Sequence, residues 1–384
     1  MRNSRRGAVD PFIVMDVMEA ARQAEAAGRH VIHMEVGQPG TPAPAAARDA
    51  LARAMAGDAL GYTVALGLPS LRARIARLYG EWYGVDLNPE RVVVTPGSSG
   101  GFILAFAAFF DAGERVALGA PGYPSYRQIL RSMNLEPVEV QSSAENRLQP
   151  VPADLEPLNW QGLMVASPAN PTGTMLDRDA LGALVDCAQA RGAAFLSDEI
   201  YHGIEYERRA VSALEISDDV CVINSFSKYF SMTGWRVGWL VVPEGSLRQV
   251  ERLAQNLFIC PPHASQVAAL AALDATDELE ANKAVYARNR ALMLEGLPQA
   301  GFDRIAPPDG AFYVYADVSH LTEDSRAFAR AILDEAGVAV TPGLDFDPVR
   351  GAGTLRFSYA RSTADIEEGL SRLRRFMVAR GLAG

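Results

Sequence analysis

Three polar residues that could share one site stand at the ends of apolar stretches: Asn170, Asp198 and Lys228, separated by 28 and 30 residues. Each interval matches one strand–helix–strand unit. In an open α/β sheet, ligands sit beyond the carboxyl ends of the strands, so these distant side chains can meet at one crevice. Lys228 lies in Ser225-Phe226-Ser227-Lys228-Tyr229-Phe230, just past an apolar run. Aromatic neighbours desolvate an ammonium, lower its pKa and leave a nucleophilic amine; the alternative is a lysine on a surface loop. Asp198, in Leu196-Ser197-Asp198-Glu199-Ile200-Tyr201, is a carboxylate at the end of another apolar run. That placement is costly unless a cation or several donors meet it. A protonated pyridine nitrogen would be such a cation, and a helix-capping aspartate is the alternative.

A second constellation suits an anion. Thr95-Pro96-Gly97-Ser98-Ser99-Gly100-Gly101 joins an expected strand to an apolar helix starting near Phe102. Small residues let backbone N–H groups approach a phosphate, and the helix dipole favours its charge. Arg236, eight residues after Lys228, could add two hydrogen bonds to the same group, or form a surface ion pair instead.

These residues need a scaffold, and the hydrophobic pattern supplies one. Apolar or β-branched runs at 91–95, 115–118, 137–140, 163–166, 194–197, 220–224 and 237–242 are mostly separated by helix-length segments such as 180–190. Short apolar strands between helices predict a mainly parallel sheet covered on both faces. Beyond residue 280 the texture changes to a long helix (281–294), a strand (311–316), a helix (325–335) and a strand (354–359). Asp10-Pro11 reads as a helix start and Gly28 as its stop, followed by a strand at 31–36. The expected fold is therefore α/β: a large domain with a seven-stranded, mainly parallel sheet, and a smaller α+β domain. Residues 1–39 form an arm belonging to the small domain, 40–280 the large domain and 281–384 the rest of the small domain.

Composition limits the function classes. The chain has 384 residues, 49% apolar and 21% charged, with a net charge of −10. This is the profile of a globular protein, and it argues against a nucleic-acid or anionic-membrane surface. Cys187, Cys221 and Cys260 form neither a disulfide framework nor a metal knuckle, and the five histidines are scattered. No metal is expected. The longest apolar run, Phe102–Phe110, is too short for the roughly 20 residues of a membrane span. The basic N-terminus has no apolar stretch after it, so no secretory signal is expected and a cytoplasmic location is.

Together the motifs resemble the class I/II aminotransferases, the fold-type I group of pyridoxal-phosphate enzymes. The likeness runs from about Gly37 to Arg356 and is most specific at Asn170-Pro171-Thr172-Gly173, Ser197-Asp198-Glu199-Ile200-Tyr201 and Ser225-x-Ser227-Lys228 with Arg236 beyond. The resemblance implies an aminotransferase that moves an amino group from an L-amino acid to a 2-oxo acid, with pyridoxal 5'-phosphate held by Lys228 as a Schiff base. It implies that Lys228 also shuttles the proton, that Asp198 pairs with the ring nitrogen, and that Asn170 and Tyr201 bind the phenolic oxygen. Tyr123 would stack on the ring. Ser98, Ser99, Ser225 and Arg236 would hold the phosphate, joined by Tyr62 from a neighbouring subunit of a homodimer. Arg356 would clamp the substrate α-carboxylate, with Gly37 beside it.

Two departures from the family pattern stand out. Gly343-Leu344-Asp345-Phe346-Asp347 has an acid where the family commonly ends in glycine, which leaves the loop's shape open. The stretch Gln255–Pro262, aligned with the segment where aspartate-specific members carry an arginine, has none. The apolar start of the first helix (Phe12, Ile13, Met15) would suit a less polar substrate, or simply pack on a partner subunit. The same catalytic set also serves pyridoxal-phosphate lyases. A ligand-sensing regulator on this fold would need a DNA-binding module, for which the residues before Gly37 are too few.

Overall fold

The computed structural model describes residues 1–382. Twelve α-helices follow the chain: α1 (Ile13–Ala26), α2 (Ala45–Gly57), α3 (Pro69–Tyr83), α4 (Gly97–Phe109), α5 (Pro124–Ser132) and α6 (Pro152–Leu155) come first. After them come α7 (Arg178–Ala190), α8 (Leu247–Leu257), α9 (His263–Ala272), α10 (Thr276–Gln299), α11 (Ser325–Ala331) and α12 (Thr363–Ala379). β1 (Ile32–His33) precedes the strands of the large sheet: β2 (Val92–Thr95), β3 (Arg115–Ala120), β4 (Glu136–Gln141), β5 (Gly162–Ala166), β6 (Ala194–Asp198), β7 (Cys221–Ser225) and β8 (Gly238–Val241). β9 (Arg304–Ile305), β10 (Tyr313–Asp317), β11 (Val338–Ala339), β12 (Thr341–Pro342) and β13 (Thr354–Ser358) complete the set.

The seven strands expected between residues 91 and 242 all form, within two residues of their expected ends, in the order β2-β8-β7-β6-β5-β3-β4. Only β8 runs antiparallel to its neighbours. Side chains alternate across the sheet, as the two-residue strand period requires. Val92, Leu163 and Val222 pack on one face with α3, α7 and α9, while Val93, Met164 and Ile223 pack on the other with α4, α5 and α8. Both faces are covered, so the strands are apolar throughout. Each fully buried Val, Leu or Ile stabilises the fold by about 1.5–3 kcal/mol.

The small domain is α+β, with a four-stranded antiparallel sheet ordered β12-β13-β10-β9. β1 pairs in parallel with β11, and Ala21 and Val31 pack against Leu333 and Ala339, which joins the N-terminal segment to the C-terminal part. α11 ends in a π-helical turn, Ile332–Ala336, which runs one residue past the 325–335 span expected as one helix.

The start of α1 departs from the sequence expectation. Asp10 does not cap it: its carboxylate accepts from Arg131 (2.9 Å) and Gln128 (3.1 Å) on α5. The helix begins two residues later, and the amides of Ile13 and Val14 donate to the two carboxylate oxygens of Asp345 at 3.0 and 3.1 Å. The stop at Gly28, where φ is +85°, is where the sequence puts it.

Behind the end of β6 a buried network supports the strand. Glu199 is fully buried; one carboxyl oxygen accepts from the Ala213 amide (2.8 Å) and the hydroxyls of Ser197 and Ser212 (3.1 Å each), and the other has no partner. Burial pushes its pKa up to about 8 and that of the neighbouring His202 down to about 4. Near neutral pH both are therefore uncharged, and their 3.6 Å approach is not an ion pair. Because folding raises the Glu199 pKa, the folded chain holds a proton that the unfolded chain has released, so stability falls as pH rises from about 4.5 to about 8. Glu199→Gln removes that term. Its melting temperature is expected to drop less than the wild type's between pH 5 and pH 9, and parallel melting curves would refute the assignment.

Candidate active site

The sheet delivers the chemistry to its carboxyl edge, as the spacing of Asn170, Asp198 and Lys228 requires. A cavity of about 240 Å³ opens there between the two domains. It is lined by all the expected site residues except Ser225 and Tyr62.

Asp198 ends β6 and is 2% exposed. One carboxylate oxygen accepts from the Ile200 amide at 3.1 Å and the other from the Tyr126 hydroxyl. Burial raises its pKa to about 6, against the opposing pull of those two donors and of Lys228. Lys228 follows β7, and its Nζ donates to the Gly37 carbonyl at 2.6 Å. It also lies 5.7 Å from the centre of the Tyr201 ring and 5.9 Å from that of Phe312. Its residual exposure faces the cavity. Burial first, then Arg356 and Arg236, brings its pKa down to about 7. The lowering runs in the expected direction, but the rings beside Nζ are Tyr201 and Phe312, while the sequence neighbours Phe226, Tyr229 and Phe230 pack in the core.

Arg356 on β13 is 3% exposed. Its guanidinium donates to Asn170 Oδ1 at 2.8 Å, to Thr341 Oγ1 at 3.3 Å and to the Glu35 carbonyl. The rings of Tyr313 and Phe346 lie 4.4 and 4.6 Å from it. Its Nε is buried without a partner. A buried donor without an acceptor costs about 1–3 kcal/mol, which an anionic ligand would recover. Gly37 fits only without a side chain, since a Cβ there would stand 1.6 Å from the Tyr313 hydroxyl.

One end of the cavity is built by α4. Gly97, at φ +71°, opens the helix; a Cβ there would meet Arg236 Nη2 at 2.4 Å. The free amides of the first turn, Ser98, Ser99 and Arg236 thus converge on one end of the cavity. Ser225 does not join them. Its hydroxyl donates to the Val237 carbonyl at 3.1 Å and bonds Ser227 Oγ at 2.8 Å, and it is Ser227 that lines the cavity. Tyr62 is 83% exposed and lies outside the cavity of a single chain.

Sequence reasoning missed two tyrosines. Tyr126 holds Asp198, and Tyr313 bonds the Tyr201 hydroxyl at 2.7 Å. The signal for Tyr126 was its place three residues beyond Tyr123, the N-cap of α5; the two rings stand 5.2 Å apart, edge to face. Of the apolar residues at the start of α1, Phe12 and Met15 reach the cavity with Val14, whereas Ile13 turns into the core.

The donor set fits pyridoxal 5'-phosphate. Lys228 would meet the aldehyde, the buried Asp198 the ring nitrogen, and the α4 amides with Arg236 the phosphate. The unpartnered Nε of Arg356 would be left for a further anion.

Residues 29–373 match the family model "Aminotransferase class I and II". The chain is 47% identical over 379 residues to the valine–pyruvate aminotransferase of Mycobacterium tuberculosis, covering 97% of each chain. A putative aminotransferase from Silicibacter pomeroyi superposes with a TM-score of 0.95 at 73% identity, over 99% of this chain and 100% of that one. The aspartate aminotransferase of Thermus thermophilus gives 0.92 at 31% identity, over 98% and 100%. The chain belongs to the class I and II aminotransferases, pyridoxal-phosphate enzymes that transfer an amino group between an amino acid and a 2-oxo acid.

Proposed function

We propose that this transaminase takes an L-amino acid with an apolar side chain as donor and a small 2-oxo acid such as pyruvate as acceptor. The observation that carries this reading is the wall of the cavity. Phe12, Val14, Met15, Val36 and Ile200 line it with the uncharged Gln38, and among the described residues its cationic side chains are Lys228, Arg236 and Arg356. With Lys228 given to the cofactor aldehyde, Arg236 to the phosphate and Arg356 to the α-carboxylate, none of these is left in the cavity of one chain for a second carboxylate. The valine–pyruvate name of the Mycobacterium relative agrees with such a pair, and transaminase names among the relatives favour transfer over elimination.

Each residue has a task in this reading. When bound, pyridoxal phosphate would supply an electrophilic carbon and a cationic, electron-withdrawing ring. Lys228, with a pKa near 7, is the nucleophile, and its free Nζ carries the proton away from the substrate Cα. Asp198 holds a proton at the ring nitrogen, and Tyr126 fixes the carboxylate's orientation. Tyr201 and Asn170 face the phenolic oxygen, with Tyr313 orienting the Tyr201 hydroxyl. Tyr123 stacks on the ring. Ser98, Ser99 and Arg236 hold the phosphate, and Ser227 takes the place first given to Ser225. Arg356 grips the α-carboxylate between Tyr313 and Phe346, beside Gly37.

The assembly proposed is a homodimer. Tyr62, Val64, Leu257 and Ile259 form exposed apolar surface on the chain, and a second copy covering it would let Tyr62 reach the partner's phosphate end. Among the described residues no helix is long and apolar enough to cross a membrane. With its three free cysteines, the chain suits a reducing cytoplasm. The division at residues 39 and 280 is retained, with α10 running across the second boundary.

Three outcomes test these roles. Covalent capture of added cofactor by the apoenzyme, trapped with borohydride on Lys228, should speed up about tenfold from pH 6 to pH 8 and then level off. A roughly hundredfold rise without a plateau marks an ordinary lysine and refutes its activation. Arg356→Ala should raise the amino-acid KM about a hundredfold and leave cofactor affinity within about threefold, since a charged two-point contact is lost. Equal damage to both would move the carboxylate clamp elsewhere. In a donor screen with pyruvate, kcat/KM for valine or leucine should exceed that for aspartate by at least about tenfold, and a preference for aspartate overturns the substrate class.

A further inference from the structure

Two residues before the acid that departs from the family pattern, Asp345 is fully enclosed, and both of its carboxylate oxygens are committed to one task. Asp345 is 1% exposed and accepts from the Ile13 and Val14 amides at 3.0 and 3.1 Å. These are first-turn amides of α1 that have no partner within the helix. Phe12, at the N-cap, has no side-chain oxygen to offer, so the cap comes from 332 residues away in sequence. The loop that provides it is held in turn by the large domain. Arg127 on α5 donates to the Asp345 carbonyl at 2.6 Å, and the Gly122 amide donates to the Phe346 carbonyl at 3.0 Å. Upstream, Asp10 ties the chain to Arg131 and Gln128 of the same α5. The segment between Asp10 and Met15 is therefore strapped at both ends, and it carries Phe12, Val14 and Met15 across the cavity.

The residue after Asp345 completes the case. Phe346 covers the Arg356 guanidinium at 4.6 Å. One turn of chain thus fixes both the clamp for the α-carboxylate and the wall that meets the side chain beyond it.

We propose that Asp345 is a positioning residue for donor selection: by capping α1 from outside the helix, it sets Phe12, Val14 and Met15 against the donor's side chain in register with Arg356. This rests on the apolar-donor reading above. A donor with a long apolar side chain depends on the wall, and alanine, which barely reaches it, does not.

The test compares the wild-type holoenzyme with Asp345→Ala and Asp345→Asn, using leucine and alanine as donors. In Asp345→Ala the KM for leucine should rise about tenfold, the usual scale of a lost cap, with less than about a threefold rise for alanine and less than about a twofold change in kcat. Hydrogen exchange at the Ile13 and Val14 amides should quicken about tenfold, because the first turn then opens more often. Asp345→Asn keeps one acceptor oxygen for these amides, so it should recover part of both effects, and it carries the comparison if the alanine variant does not fold. An unchanged leucine-to-alanine KM ratio in both variants overturns the proposal, as does unchanged exchange at residues 13 and 14. A wild-type enzyme that prefers aspartate to leucine overturns the proposed substrate class instead, because the exchange measurement reads the strap without reference to any donor.

Discussion

The proton on Lys228 is opposed from every side but one. The surrounding protein strips water from the ammonium, and Arg356 and Arg236 add two like charges, leaving Asp198 as the opposing influence. Asp198 is itself engaged by Tyr126 and the Ile200 amide. A cation desolvated to this degree is tolerated only if it can become neutral, and a neutral lysine amine is a nucleophile. The other charges follow from the same constraint. Arg356, buried with an unpartnered Nε, needs an anion of its own, which on the reading proposed above is the substrate carboxylate.

The topology makes this convergence cheap. Strands β5, β6 and β7 are parallel neighbours, so the segments leaving their carboxyl ends carry Asn170, Asp198 and Lys228 to one edge without any long excursion. β8 runs against them, and the chain entering it supplies Arg236, next to the first turn of α4. The small domain adds what the large sheet cannot. Arg356 on β13 is paired directly with Tyr315 and diagonally with Tyr313, the ring that stacks on its guanidinium. The sheet register therefore fixes both the clamp and one of its walls.

Much of this was legible in the sequence because it is local. An apolar run, a turn of small residues and a polar residue at the strand end all lie within about ten positions, so the strands and the three central side chains could be placed from pattern alone. What escaped depends on distant partners. Tyr313 reads as an ordinary aromatic in a strand until its hydroxyl is found against Tyr201, 112 residues away. Ser225 and Ser227 both look suited to a phosphate, and only the bond from Ser225 to the Val237 carbonyl removes it from the cavity. Asp10 has the right type and position to cap α1, yet it goes to α5 because arginine and glutamine side chains wait there. Tyr62 is unresolvable from one chain for the same reason, since its partner would belong to a second copy.

The two acids of the 343–347 loop show how a departure from pattern becomes structure. A glycine at the end of such a loop offers conformational freedom and nothing to bind, whereas Asp347 accepts from Arg350 Nε at 2.9 Å and from the amides of Val349 and Arg350 at 3.0 Å each. Arg350 then donates to the carbonyls of Ala120 and Ser142 at 2.9 and 2.8 Å, at the ends of β3 and β4. Asp345 reaches the opposite way, to the start of α1. Between them, Phe346 lies over Arg356. With a paired carboxylate in place of that glycine and Asp345 two residues before it, the loop ties the large sheet, Arg356 and the N-terminal helix into one connected unit. Such a unit favours binding by lowering the entropy lost when the substrate orders the site. It also ties the placement of Phe12, Val14 and Met15 to that of Arg356, so that, on the reading proposed above, donor selection depends on helix placement as well as on which residues line the cavity.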